Sequence, residues 1–449
     1  MQRPSIIYSI LWLAIVTVGA VPVRAQEPQR PSVTLFESVR VFDGISDQLT
    51  EPVNVLIRGN IIEKISADPI PVDRRADTRI IDGTGRTLIP GLIDAHTHVI
   101  FSSLPQQQLL LEDFGFVQIA ASKAAEDMLQ RGFTSVRDMG GPIHGLKRAI
   151  DRGLVSGPRI WPAGAFISQT GGHGDFRLPN DFPARPGDFT YTERIGAAAI
   201  ADSPDTVRQR VREQLTLGAS HIKLMAGGGV TSHYDPLDVT QFTVEELRAA
   251  VEAAENWGTY VAVHAYTPRA VRQAIEAGVK CIEHGQLLDD ATAQLMAEKE
   301  IWWSLQPFLD DNPDRFPAGS ANRIKELQVA DGTDIAYRLA RHFKIKTAWG
   351  TDVLFSTDST LIQNQRLVHL LRWFTEAEAL KMATSTNAEL LALSGLRSPY
   401  AGKLGVIQEG ALADLILVDG NPLEDFRLLA DPYNKFVVIM KDGKIYKGF

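Results

Sequence analysis

One alternation constrains this chain more than any other feature. Eight short apolar runs, Leu88–His96, Phe133–Asp138, Arg159–Ala165, Ser220–Met225, Thr259–His264, Val279–His284, Glu300–Leu305 and Ile345–Thr351, alternate with stretches of helical periodicity. Helical patterns cover Phe116–Gln130, Pro204–Leu217, Val244–Asn256 and Arg269–Glu276. Thr243 precedes the third of these as an N-cap, Glu245 and Glu246 occupy its first turn, and Gly258 lies near its stop. Eight strand-then-helix units predict an α/β fold, a (β/α)8 TIM barrel. The competing arrangement is an open doubly wound sheet. No dinucleotide-binding glycine fingerprint follows any of the runs, which counts against it.

The flanks have a different texture. Val33–Ser38, Val53–Ile57, Ile62–Ile65 and Thr78–Asp82 read as short strands before the barrel, and Leu415–Val418 and Phe436–Met440 as strands after it. Asn60, Asp82-Gly83, Asp419-Gly420 and Asp442-Gly443 punctuate them as turns. The expectation is a small β-sandwich built by both ends, residues 26–87 and 398–449, around a barrel at 88–397. Residues 1–25 read as a cleavable leader: Arg3, the apolar run Ile6–Val21, then Val23-Arg24-Ala25. Such a leader implies export to a periplasm or the medium, with no membrane attachment once it is removed. An uncleaved anchor is the other reading of the same run.

Composition narrows the function classes. Lys plus Arg total 46 against 54 Asp plus Glu, a net charge of −8, so a nucleic-acid partner is not expected. Hydrophobic residues at 44% and charged residues at 22% exclude a disordered chain and a multi-span membrane protein. Cys281 is the one cysteine, which excludes an intramolecular disulfide, a thiolate zinc finger and an Fe–S cluster held by this chain alone. Its apolar surroundings suit a small buried group. Any metal site must therefore use imidazole and oxygen ligands.

Barrel active sites lie at the C-terminal ends of the strands. The ends of these runs carry Asp94-Ala95-His96-Thr97-His98, Lys223, His264, His284 and Asp352. In the H-x-H of the first run both imidazoles lie on one face of a strand and can reach one cation. Neutral imidazole and carboxylate suit Zn²⁺ and similar divalent ions. Lys223 is the odd member, because an ammonium beside metal ions is repelled. It either pairs with a neighbouring carboxylate, or its neutral amine adds CO2 and becomes a carbamate with two oxygens. Arg137-Asp138 reads as a salt-bridged pair supporting the site. Trp302, Trp303 and Phe308 suit packing or an aromatic pocket wall. His233 and Tyr234 follow the fourth strand in a loop that can touch substrate. His144, His342 and His369 read as structural. A regular strand puts His221 on the face of Lys223, and no role is assigned to it.

At this point a family resemblance is evident. Ile81-Asp82-Gly83 with Leu88-Ile89-Pro90-Gly91-Leu92-Ile93-Asp94-Ala95-His96-Thr97-His98, and later Gly405-Val406-Ile407-Gln408-Glu409-Gly410-Ala411-Leu412-Ala413-Asp414-Leu415, resemble the amidohydrolase superfamily. Lys223 places the resemblance with the binuclear, carboxylated-lysine members. It implies that His96, His98 and Asp352 hold one divalent metal and His264 and His284 the other, with zinc the expected ion. Carboxylated Lys223 and a hydroxide would bridge them, and Asp352 would also shuttle the proton to the leaving amine.

His173, in Thr170-Gly171-Gly172-His173-Gly174-Asp175, and Tyr266 resemble the imidazolonepropionase-like and prolidase-like carboxypeptidase branch. There such residues hold the terminal carboxylate of the substrate. The implied substrate is a dipeptide, an Xaa-Pro peptide or an N-acyl amino acid. An ochratoxin-hydrolysing amidohydrolase, which cuts an amide to phenylalanine, shares the arrangement. The resemblance also implies a homo-oligomer. The competing readings are a lactonase, phosphotriesterase or cyclic amidase on the same binuclear site, and a non-enzymatic exported binding protein. G-x-S-x-G, H-E-x-x-H and the P-loop are absent from the sequence.

Overall fold

A computed structural model describes residues 31–73, 78–182, 187–232, 234–355 and 362–448. The expected leader and His233 lie outside these residues. The strands are β1 (Val33–Val41), β2 (Val53–Arg58), β3 (Ile61–Ser66), β4 (Thr78–Asp82), β5 (Thr87–Pro90), β6 (Leu92–Thr97), β7 (Phe133–Asp138), β8 (Arg159–Pro162) and β9 (Phe166–Ser168). They continue as β10 (Ala198–Ile200), β11 (Ile222–Met225), β12 (Val261–Ala265), β13 (Cys281–His284), β14 (Trp302–Leu305), β15 (Thr347–Trp349), β16 (Leu415–Val418), β17 (Phe436–Lys441) and β18 (Lys444–Lys447).

The chain is α/β, with one mixed sheet and two parallel ones. The mixed sheet runs β18-β17-β16-β5-β1-β2-β3, with β4 on β1, so both chain ends do pair. Strand β1 serves two neighbours in succession. Its first half lies parallel to β4, and Arg40 and Val41 lie parallel to β5. Between them its register against β2 breaks from Phe36 to Val39, and Ser38 takes a positive φ of 54°. That bend turns the inner residues of both halves onto one apolar cluster. Phe36, Val39, Ile57 and Ile62 are buried there with Leu415, Leu417, Val438 and Met440.

The parallel strands form two arcs, β6-β7-β8 and β10-β9-β11-β12-β13-β14-β15. Each of the eight runs contains a strand, but one run is divided and another stops short. Leu88–His96 splits into β5, which belongs to the terminal sheet, and β6, which begins the first arc. The break is at Gly91, whose N–H donates to the Asp414 carbonyl at 2.8 Å. A Cβ there would fall 2.1 Å from Thr134 Oγ1, so only glycine lets the chain pass from one sheet to the other. Arg159–Ala165 ends as a strand at Pro162, and β9 begins the second arc after it. Proline has no N–H for a ladder. Its carbonyl instead accepts the Ser220 N–H at 2.7 Å, across the gap between the arcs.

The other gap is held by side chains. Asn387, from the helix Asn387–Ala392, accepts the Trp349 N–H at 3.1 Å and donates to the carbonyls of Ile93 at 2.7 Å and Trp349 at 2.8 Å. Asp94 accepts the Thr351 N–H at 3.0 Å and its hydroxyl at 2.6 Å. One amide and one carboxylate thus tie β6 to β15.

The helices follow the sequence expectation closely. Pro204–Leu217 starts on Ser203 and stops at Gly218 in the left-handed region. Val244–Glu255 begins with a capping box in which Thr243 Oγ1 accepts the Glu246 N–H. Such a cap contributes about 1 kcal/mol. Among the described residues no helix is long and apolar enough to cross a membrane.

Asn387→Ala should strip partners from three buried backbone groups at the β6–β15 junction. At about 1–3 kcal/mol for each unsatisfied group, denaturant unfolding should show a loss of at least ~2 kcal/mol. A loss within ~0.5 kcal/mol would show that this junction does not depend on the amide.

Candidate active site

The eight residues expected in the site come together. His96, His98, His173, Lys223, His264, Tyr266, His284 and Asp352 all line one cavity of 340 Å³ at the C-terminal ends of the parallel strands. That is a volume suited to a small ligand.

The imidazoles are oriented from behind. His96 Nδ1 bonds to Glu283 at 2.8 Å, His98 Nδ1 to the Gly140 carbonyl at 2.9 Å, and His284 Nδ1 to Gln306 Oε1 at 2.7 Å. Each Nδ1 faces an oxygen acceptor, so each carries the proton and each Nε2 keeps a lone pair. His96 Nε2 is buried without a hydrogen-bond partner. Asp352 Oδ1 lies 3.3 Å from His96 Nε2 and 3.4 Å from His98 Nε2. Ligand atoms of His96, His284 and Asp352 lie within 4.8 Å of one another. A buried imidazole lone pair facing an ionised carboxylate has no protein proton to hold it, and a divalent cation fits that gap.

His264 is arranged differently. Its Nε2 bonds to the Gly228 carbonyl at 3.0 Å, while its ring lies 4.5 Å from His284 between centroids. His98, Lys223 and His264 line the cavity outside the tight His96–His284–Asp352 group.

Burial and charge set the protonation states. Burial pushes the imidazoles of His98, His264 and His284 down, so they are neutral near pH 7. Burial alone would raise the Asp352 carboxyl; positive charge on His96, or a proton that His96 or His98 donates to it, holds it well below the ordinary range, a part that a cation takes over when the Nε2 lone pairs are free. Burial brings the Lys223 ammonium down to about 8. A neutral amine is therefore accessible close to neutral pH.

Two features escaped the sequence. Arg137 does not pair with Asp138. Its guanidinium forms an ion pair with Glu283 at 2.7 Å, and also donates to the Ala95 carbonyl at 2.6 Å and the Tyr260 hydroxyl at 3.1 Å. The Asp138 carboxylate instead accepts the Val99 N–H at 2.8 Å. Glu283 was missed because it adjoins His284, and neighbours on a regular strand face opposite sides. His284 has a φ of +75°, which breaks the alternation and brings both inward. Asp352 also lies at positive φ, +49°. Backbone strain of this kind collects at functional sites. Arg137, at the inner end of a strand, was legible as a support but not as a partner of β13.

The two residues expected to touch substrate stand beside His264. His173 stacks on it with centroids 4.2 Å apart, and Tyr266 packs edge-on at 5.0 Å. His173 Nδ1 bonds to Ser232 Oγ and lies 3.4 Å from Asp235 Oδ2. Phe308 stacks on His284 and lines the cavity, whereas Trp302 and Trp303 are packed in the core. Trp303 Nε1 donates to the His284 carbonyl at 2.6 Å. Tyr234 lines the cavity as well. His221 lies beneath Lys223, bonded to Ser220 and stacked on Tyr260, a structural place. Cys281 is buried, and its thiol donates to Glu283.

Parallel arcs with histidines and an aspartate at their C-terminal ends are compatible with a hydrolase site that holds a divalent cation, and sequence comparison defines the class. Residues 87–449 match the amidohydrolase family. An ochratoxinase of Aspergillus niger is 34% identical over 383 residues, covering 80% of this chain and 76% of the relative. A crystal structure of a prolidase complexed with N-methylphosphonate-L-proline is 35% identical, with a TM-score of 0.83 over 93% of this chain and 100% of that one. A Xaa-Pro dipeptidase with bound methionine in its active site is 31% identical, with a TM-score of 0.79 over 93% and 100%. The chain belongs to the amidohydrolase family, and it is a hydrolase acting on amide or peptide bonds. The family generally uses divalent metals, and the His96–His284–Asp352 group is compatible with one.

Glu283→Gln should leave Arg137 buried without its counter-charge. Breaking such a pair costs about 3–5 kcal/mol, readable by chemical denaturation. A variant as stable as the parent would show that the pair is not what secures β7 to β13.

Proposed function

We propose that this protein is a metal-dependent amidohydrolase that cleaves the C-terminal amide bond of dipeptides or N-acyl amino acids. Xaa-Pro peptides and amides to aromatic amino acids, such as ochratoxin A, are the substrate classes favoured. The carrying observation is one buried cavity in which imidazole Nε2 atoms and an ionised Asp352 converge beside His173 and Tyr266. The names of the similar proteins, a prolidase, a Xaa-Pro dipeptidase and an ochratoxinase, support the same reading.

His96, His98 and Asp352 would hold one cation, and His264 and His284 a second. Zinc suits these imidazole and carboxylate ligands. Lys223 as a neutral amine adds CO2 and loses one proton, and both oxygens of the carbamate would serve the two cations. Bound divalent cations lower the pKa of water and polarise a carbonyl oxygen. The remaining tasks fall to the side chains. Asp352, held ionised by the imidazoles, accepts the proton of the attacking water and delivers it to the leaving nitrogen. An amine leaves only once protonated. Tyr266 keeps its proton because burial raises its hydroxyl pKa, so it donates to the substrate carboxylate together with His173. Phe308, Phe101 and Phe355 wall the cavity and exclude water.

The two arcs are proposed to close as a (β/α)8 barrel, supported by the Ser220–Pro162, Asn387–Ile93 and Thr351–Asp94 bonds that cross between them. Closure is what would set both halves of the ligand set on one rim.

Chelator treatment should abolish hydrolysis, and divalent ions should restore it; turnover by metal-free protein would overturn the metal requirement. Asp352→Asn should lower kcat by at least ~100-fold while elemental analysis finds most of the metal retained. Tyr266→Phe should raise KM for substrates with a free carboxylate far more than for their C-terminal amides. Turnover of lactones or phosphotriesters, with none of dipeptides or N-acyl amino acids, would assign the site to another hydrolytic branch.

A further inference from the structure

The cavity that holds His173 and Tyr266 is also lined by an arginine with no ion-pair partner among the described residues. Arg366 lies in the short helix Gln363–Val368 and lines the cavity half-buried. That helix is anchored by buried amides. Gln363 Nε2 donates to Asp94 at 2.9 Å, Arg131 donates to Gln363 Oε1 at 2.9 Å, and Asn364 Nδ2 donates to the Arg131 carbonyl at 3.0 Å. Among the described residues the guanidinium makes one hydrogen bond, Nη1 to the Thr351 carbonyl at 2.9 Å. Thr351 precedes Asp352, so Arg366 sits on the Asp352 side of the centre, whereas His173 and Tyr266 group around His264.

A guanidinium carries five N–H donors. Among the described residues no carboxylate comes within 4 Å of this one. Two of the acids that influence it are engaged elsewhere: Asp352 faces His96 and His98, and Asp94 holds Thr351 and Gln363. The third, Asp311, lines the same cavity and acts on Arg366 through space without an ion pair. Arg315, also on the cavity wall, adds positive charge rather than relieving it, though Glu326 partly balances Arg315 at 3.5 Å. Burial lowers the Arg366 pKa, and Arg315 adds to that effect. A fixed, partly desolvated cation with no carboxylate in ion-pair contact among the described residues gains from an added anion. Arg366 lines the cavity, where such an anion would bind.

We infer that Arg366 is the recognition residue of an anion subsite for the acyl half of the substrate. The inference rests on the proposed function, because it takes the scissile amide to lie between the His173–Tyr266 pair and Arg366. The favoured substrates are then doubly anionic: one carboxylate on the leaving amino acid, held by His173 and Tyr266, and one on the acyl group. N-terminal Asp or Glu dipeptides and dicarboxylic-acyl amino acids have that form. Arginine suits the task because its planar fork binds a carboxylate through two parallel bonds.

The test compares Glu-Phe with Gln-Phe on the metal-loaded enzyme. A charge-assisted bond of this kind corresponds to about ten- to a hundredfold in kcat/KM. The parent should favour Glu-Phe by that factor, mainly through KM. Arg366→Met should collapse the ratio toward one, and Arg366→Lys should retain part of it. Equal turnover of the two dipeptides by the parent would overturn the subsite. So would an intact ratio in Arg366→Met, which would make the arginine structural. Loss of discrimination between a C-terminal carboxylate and its amide, in that variant, would move Arg366 to the leaving side and overturn it too. If no peptide is cleaved, titration calorimetry with glutarate and glutaric acid monoamide separates the two ideas. Tighter binding of glutarate that Arg366→Met removes supports the subsite while the proposed reaction fails. Equal binding of the two probes overturns the subsite as well.

Discussion

The Arg137–Glu283 ion pair is the constraint on which the rest of the structure depends. Two opposite charges are buried completely, at 2.7 Å, among the apolar residues of the strand interior. That is tolerable only if every remaining donor and acceptor is met. Arg137 comes from β7 and Glu283 from β13, and the bonds to Ala95 and Tyr260 bring in β6 and the residue that precedes β12. Those bonds can form only when strands of both arcs face one interior. The pair therefore couples the architecture to the site, because Glu283 also fixes His96 Nδ1.

From that point the site is built outward by the same device. Each of three imidazoles is turned by an oxygen behind it, from Glu283, Gly140 and Gln306, so that its other nitrogen faces the cavity. The left-handed backbone at His284 and Asp352 aims the two side chains that regular strands would not bring together. Asp94 and Asn387 hold the junction where the first and last strands meet, and the same Asp94 steadies the helix that carries Arg366. The strand junction and the helix that carries Arg366 thus share one polar framework.

The terminal sheet answers a different requirement. Both chain ends contribute residues to one apolar core. Paired across β1, β5 and β16, they enclose one cluster, and Arg159 secures the first arc to Asp414 and Asp442 at 3.1 and 2.7 Å. Gly91 is the point where the chain leaves this sheet for the first parallel arc, within the segment by which the family is recognised.

By itself the sequence determined the strand-helix alternation, the pairing of the two ends and the side chains that line the cavity. These are local properties: periodicity, caps, turn residues and the residue types at strand ends. Tertiary structure decided what lies behind and between them. Glu283 became legible only once His284 was seen to leave the regular backbone, and Arg137 found its partner a hundred and more residues away rather than in the adjacent Asp138. The division of Leu88–His96 at Gly91 needed Thr134 against it. Arg366 drew no notice because its significance is an unfilled bonding capacity inside a cavity. Alternation along a strand specifies a face, but a partner, a strained φ or a missing counter-charge depends on what the rest of the chain brings within a few ångströms.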